Sequence, residues 1–266
     1  MLRIALRSLT YYGRMNLALA LGVAAATAVL VGALLVGDSV KGSLRKLTID
    51  RLGRVDEMLV VDRFFRSALI DQLTASTEFN EHYDRAAGVV LFTQGTAERR
   101  GDDTTQRASN VMVVGSEGSS FWDFDTTGTR PKQLPAAGQI VLNRALANEL
   151  QARVGDQVTL RLPKPGDVPA DTPLGEKTDR IRSLPRLEVI DIVDDAGLGS
   201  FALRASQMQP HNAYVALSQL QETLGQPDRV NAILVAGKNE ETPPDASASE
   251  ALTAALKPTA GDLGLA

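Results

Sequence analysis

From Met15 to Gly37 no residue carries a charge, and Leu17 to Val36 (LALALGVAAATAVLVGALLV) is almost wholly apolar. At 1.5 Å per helical residue that run spans roughly 30 Å, the thickness of a bilayer's hydrocarbon core. It predicts a transmembrane helix. The small residues Gly22, Ala26, Gly32 and Gly37 lower its hydrophobicity, yet small side chains are what closely packed membrane helices place at their contacts. A cleaved signal peptide is the competing reading, since Ala26-Thr27-Ala28 follows a basic start. Cutting there would leave VLVGALLVG as a new N-terminus, and the run exceeds the ~7 to 15 apolar residues usual for such a segment. An uncut anchor is the better expectation.

The flanks define three regions. Residues 1–14 (MLRIALRSLTYYGR) set Leu2, Leu6 and Leu9 on one helical face with Tyr11 and Tyr12 near the boundary, as in a short basic amphipathic helix lying on membrane lipid. Residues 15–46 are the membrane helix and its polar exit. Residues 47–266 read as a folded domain of alternating strands and helices. Arg3, Arg7 and Arg14 favour a cytoplasmic N-terminus, but Lys41, Arg45 and Lys46 follow the helix closely, so charge by itself leaves the orientation open.

The end of the apolar run, VGALLVGDSVKGSLRK, invites two chemical readings. Gly32 to Ser39 is close to a phosphate-binding G-x-x-x-x-G-K-[ST] loop, but Asp38 stands where the lysine belongs and no strand precedes it. Gly37-Asp38-Ser39 resembles the nucleophile block of GDSL-type esterases, which implies a histidine base from an Asp-x-x-His pair. The only histidines are His82 and His211, preceded three positions earlier by Phe79 and Met208. Ser39 is then an ordinary hydroxyl where water returns at the end of a membrane helix.

A net charge of -4 provides no basic stripe for nucleic acid. Without cysteine there are no disulfides, thiolate metal sites or cysteine nucleophile. Asp191, Asp194 and Asp195 fit no calcium-loop spacing and read as a solvated strand end, and Asp102-Asp103 reads as a turn. No catalytic, cofactor-binding or metal-ligating residue is nominated, and the chain is not expected to be an enzyme.

Downstream, strands and short helices alternate. Strands are predicted at 57–61, 85–99, 110–114, 187–193, 212–217 and 229–236, with a helix over 66–73. Residues 139–162 (QIVLNRALANELQARVGDQVTLRL) read as a β-α-β unit with a cap near Asn143, a turn at Val154-Gly155-Asp156, and Val158, Leu160 and Leu162 on one strand face. Trp122 reads as a core plug, Pro163 to Pro185 as an exposed surface loop, and Gly225 as the stop of the helix SQLQETLG. Ser247 to Glu250 is a capping-box pattern for a last helix through Leu256.

The order of these parts resembles the MacB/FtsX-type permease subunits of ABC transporters. The resemblance rests on the short basic helix, the small-residue-rich membrane helix ending in GDSVKGSLRK, the segment IVLNRALANELQARVGDQVTLRL and the step NAYVALSQLQETLG. It implies an α+β chain: one N-terminal transmembrane helix, then a mixed α/β extracytoplasmic domain with an inserted β-rich lobe. It also implies a bacterial inner-membrane location, a permease homodimer or heterodimer, and a separate cytoplasmic ABC ATPase whose cycle moves the outer domain. Family members carry three further membrane helices, including the cytoplasmic loop that meets the ATPase, so a fragment of a longer permease or a split gene product is expected. A membrane-anchored binding or scaffold protein without transport is the alternative, and a secreted hydrolase using Ser39 the remote one.

Overall fold

The computed structural model describes residues 11–101, 104–163, 181–239 and 242–263. The chain divides into two compact units, Met1–Leu47 and Thr48–Ala266. The first consists mainly of helix α1 (Gly13–Leu52), whose last residues belong to the second. Its 40 residues run for roughly 60 Å. Within the apolar window no side chain is buried, and Leu19, Leu34 and Val36 stand exposed, so the helix is long and apolar enough to cross a membrane. The expected interfacial helix over 1–14 falls mostly outside the described residues.

The second unit is built on eight strands: β1 (Glu57–Arg66), β2 (Tyr83–Arg100), β3 (Thr105–Ser116), β4 (Gln139–Asn143), β5 (Gln157–Pro163), β6 (Ile181–Val193), β7 (His211–Ala216) and β8 (Arg229–Gly237). They join in the order β1-β8-β2-β3-β7-β4-β6-β5, and β5 also pairs with β2. That extra pairing closes six strands, β2 through β5, into a ring. The first half of β2 pairs with β8 from Tyr83 to Val89, and its second half pairs with β3 and β5. One long strand therefore serves two lobes: a small sheet β1-β8-β2 and a β-rich ring inserted between β2 and β8 in sequence. Where β2 passes from one to the other, the buried Asn231 side chain accepts from the Leu91 amide at 2.7 Å and donates to the Leu91 carbonyl at 2.9 Å. An amide side chain thus continues the ladder where strand partners change.

Alternation along the strands divides the interior into two cores. Val90, Val111, Val113, Ile140, Leu142 and Val215 face one, together with helices α2 (Ala68–Thr74), α3 (Thr77–His82), α4 (Arg144–Leu150), α5 (Leu217–Leu224) and α6 (Ala246–Ala255). Val89, Leu91, Met112, Val114 and Val141 face the other, where Phe121, Trp122, Phe201 and Tyr214 meet with ring centroids 4.7 to 5.8 Å apart. Trp122 is the core plug its sequence context predicts.

The β-α-β unit forms as its local signals require: Asn143 caps α4 by accepting from the Leu146 amide at 3.1 Å, and Val158, Leu160 and Leu162 are fully buried. Gly225 ends α5 with φ of 66°. Three local expectations change. The cap of α6 is Asp245, whose carboxylate accepts from the Ala248 amide at 2.9 Å and from the Ser247 hydroxyl at 2.7 Å, so Ser247 serves the cap instead of being it. Residues 181–185 belong to β6, because Ile181, Arg182 and Leu184 pair with Pro163, Leu162 and Leu160; the rest of the expected surface loop lies outside the described residues. Helix α3 has no counterpart in the sequence reading, and Ser76 caps it by accepting from Phe79 at 3.2 Å.

Candidate functional site: the joint at the end of the long helix

The residues that end α1 are held by the folded domain through a set of part-buried polar contacts. Arg51, only 5% exposed, donates to the carbonyls of Ser206 at 2.7 Å and Met208 at 3.1 Å and to the Gln209 side chain at 3.4 Å. A guanidinium's planar fork suits such a divided set of acceptors. Leu52 packs against the aromatic core, and Gly53 stops the helix in the left-handed region with φ of 58°. A Cβ on Gly53 would lie 2.3 Å from the Phe124 carbonyl oxygen, so only glycine fits. That same carbonyl accepts from the Arg54 amide at 2.8 Å.

The next residues grip the end of β8. Asp56 donates its amide to the Val235 carbonyl at 3.0 Å and accepts from the Gly237 amide at 2.8 Å, and the Arg54 guanidinium donates to the Gly237 carbonyl at 3.0 Å. Glu57 then accepts from the Tyr83 hydroxyl at 2.6 Å and the Ser249 hydroxyl at 2.7 Å, drawing in β2 and α6.

The loop that receives Arg51 is itself anchored to the ring. Asn212 donates to the carbonyls of Gly199 and Phe201 at 3.4 and 2.9 Å, and the Tyr214 hydroxyl donates to Leu198. Burial pushes the Tyr214 phenol well above its usual range, keeping it a donor. Asn143 accepts from the Asn212 amide at 2.9 Å and donates to Asp195 and to the Pro210 carbonyl, both at 2.8 Å. The end of α1 is thus bonded to β8 and to the loop Ser206 to Gln209, and the neighbouring residues 198–201 are bonded to β7.

The residues weighed for chemistry are differently occupied. Ser39 is an exposed residue inside α1. His82 is exposed at the end of α3, and His211 opens β7 opposite Val111. Asp195 is taken by Asn143 and the Ala145 amide, Asp194 by Arg144, and Asp191 by the Lys132 amide. Among the described residues no three His, Asp or Glu side chains gather as a metal-ligand set. Asp102-Asp103 lies outside the described residues.

A family model described as the MacB-like periplasmic core domain matches residues 17–253. The chain belongs to that family. Among solved structures the MacB-like domain is similar to the periplasmic region of MacB from Actinobacillus actinomycetemcomitans, at 14% identity and a TM-score of 0.42, covering 73% of each chain. It is also similar to the extracellular domain of the noncanonic ABC-type transporter YknZ from Gram-positive bacteria, at 11% identity and 0.43, covering 78% of this chain and 94% of that one. A third is a domain of a putative permease protein from Porphyromonas gingivalis, at 14% identity and 0.36, covering 69% and 82%. A comparison with curated proteins finds no match. Membership of a periplasmic-domain family and the apolar length of α1 together fit a membrane-anchored chain with an extracytoplasmic domain.

Proposed function

We propose that this chain is the N-terminal part of an ABC-transporter permease in a bacterial inner membrane. In this reading α1 crosses the membrane, and the MacB-like domain is the outer element that moves when a separate cytoplasmic ATPase hydrolyses ATP. The chain contributes movement, not catalysis, and functions as one half of a permease dimer. The observation that carries the reading is the buried Arg51, which fastens the last turn of a membrane-length helix to the loop at Ser206 to Gln209. A guanidinium bonded to three acceptors, followed by a glycine with no free space, resists bending at a place where a flexible tether would suffice for simple anchoring.

The test is protease treatment of intact spheroplasts, with the N-terminal fragment followed in washed membranes. Digestion beyond Leu47 that leaves a protected membrane-bound piece containing Met1 to about Lys46 supports the anchored permease. A soluble product lacking residues 1–28 overturns it in favour of a cleaved leader.

A further inference from the structure

Two strands leave their ladders at one place in the domain. Between Val60, opposite Ala232, and Phe65, opposite Val230, β1 advances five residues while β8 advances two, so residues 61–64 stand outside the pairing. Between Phe92, opposite Val113, and Gly95, opposite Val111, β2 advances three residues against two on β3, so Thr93 and Gln94 share a bulge. Bulges interrupt a ladder to re-aim side chains, and they recur beside binding and active sites. Residues of both bulges line one cleft of about 320 Å³, at the seam where β2 passes from the small sheet to the ring.

The cleft has an apolar and a polar side. Val60, Phe64, Phe92 and Pro163 supply the first, and Val60 is 40% exposed. Asp62, Thr93 and Gln94 supply the second, and among the described residues none of these three side chains has a hydrogen-bond or ion-pair partner in the chain. Arg63, next to Asp62 in sequence, donates to the Leu263 carbonyl instead. Behind them the buried Asn231 spends its amide on the backbone of Leu91, which fixes the wall between β8 and β2. A carboxylate without a cation thus stands beside apolar side chains at a seam between two lobes, in a space within the roughly 300–1,000 Å³ of small-molecule sites.

We infer that this cleft binds a small organic cation, an amine carried on an apolar body such as an aromatic ring or a short alkyl chain. The ammonium pairs with Asp62 and donates to the side-chain oxygens of Thr93 and Gln94, while the apolar body covers Val60, Phe64 and Phe92. The uncompensated carboxylate selects the sign of the charge, because an anion of the same shape meets repulsion in the same place. A ligand so placed touches β1 and β8 of the small sheet and β2 and β5 of the ring, and therefore binds the two lobes to each other. The inference uses the cleft alone and does not depend on the permease reading.

The test is titration of the 266-residue chain, in nanodiscs of zwitterionic phosphatidylcholine, with three probes of similar shape: phenethylammonium, the neutral phenethyl alcohol and the anion phenylacetate. Affinity is read by saturation-transfer NMR against empty nanodiscs, and location by hydrogen exchange at residues 60–64 and 92–94, with residues 139–143 of β4 as the folding control. The amine should bind about fivefold more tightly than the alcohol, lose that advantage as salt is raised, and slow exchange in both bulges, while phenylacetate does not bind. Asp62→Asn should bring the amine down to the affinity of the alcohol and leave the alcohol unchanged. Val60→Lys should weaken both. Both positions are exposed, and unchanged exchange at 139–143 shows that each variant is folded. Equal affinity for amine and alcohol overturns the inference, as does a preference that survives Asp62→Asn, protection confined to residues outside the two bulges, or no binding of the amine at millimolar concentration.

Discussion

Arg51 and Gly53 sit two positions apart and fail in different ways when changed. Arg51→Ala removes the donor to two part-buried carbonyls and an amide oxygen, and should lower stability by about 1–2 kcal/mol, read as a denaturant midpoint in detergent. Arg51→Lys should recover less than half of that loss, since a single ammonium lacks the fork. Gly53→Ala combines a left-handed backbone with a collision against Phe124, for a cost above about 2 kcal/mol; Gly225→Ala, at φ of 66° with no neighbour within 4 Å, should cost about 1 kcal/mol. Asp262 provides a pH test. Its burial acts to raise the carboxyl's pKa, but hydrogen bonds from Arg66 and Thr259 outweigh it and hold the pKa well below the usual carboxylate range. A carboxyl depressed in the folded state adds stability above its unfolded pKa of about 3.9 and loses it as pH falls below that value. The gap in midpoint between the native chain and Asp262→Asn should therefore be full at pH 6 and shrink steadily below pH ~4.

At the scale of elements, Asn143 joins a helix cap, a strand and a loop. Asn143→Ala removes acceptors for Leu146 and Asn212 and donors to Asp195 and Pro210, and should cost about 3 kcal/mol in equilibrium unfolding. Half of this role was legible in sequence: an asparagine before RALANEL is a local cap signal, and so the β-α-β unit, the α5 stop at Gly225 and the apolar length of α1 were readable too. The other half was not, because Asn212 and Asp195 reach Asn143 only after the chain has closed its ring. The joint was illegible for the same reason. Arg51 meets Ser206 and Met208 155 and 157 residues away, and nothing in the local run TIDRLGR distinguishes a buried arginine from a solvated one. At α6 a genuine local pattern misled: Ser247 to Glu250 imitates a capping box, yet the carboxylate of Asp245 is the acceptor that the Ala248 amide takes. The β6 pairing from Ile181 to Leu184 was hidden by proline and charge, which signal loop whenever the partner strand is unknown.

For the molecule as a whole, the proposed transport by movement requires the end of α1 to stay fixed to the domain, and that requirement is testable. Inserting two glycines after Leu52 should leave ATP hydrolysis by the assembled transporter intact while cargo movement falls to background, measured side by side in proteoliposomes. Loss of both activities would indicate a failure of assembly instead, and retention of both would show that the domain need not be driven through α1. The order of the strands has a consequence in time. Strand β8 lies between β1 and β2, and the Gly237 amide closes on Asp56 across 181 residues of sequence. A chain made from its N-terminus therefore presents β1 and the first half of β2 long before the strand that separates them exists. The ring waits in turn for β7, so neither lobe can close until the chain has passed residue 211. The part of the domain nearest in sequence to α1 thus depends on residues 229–237, among the last of the domain to be made, for the strand that joins it.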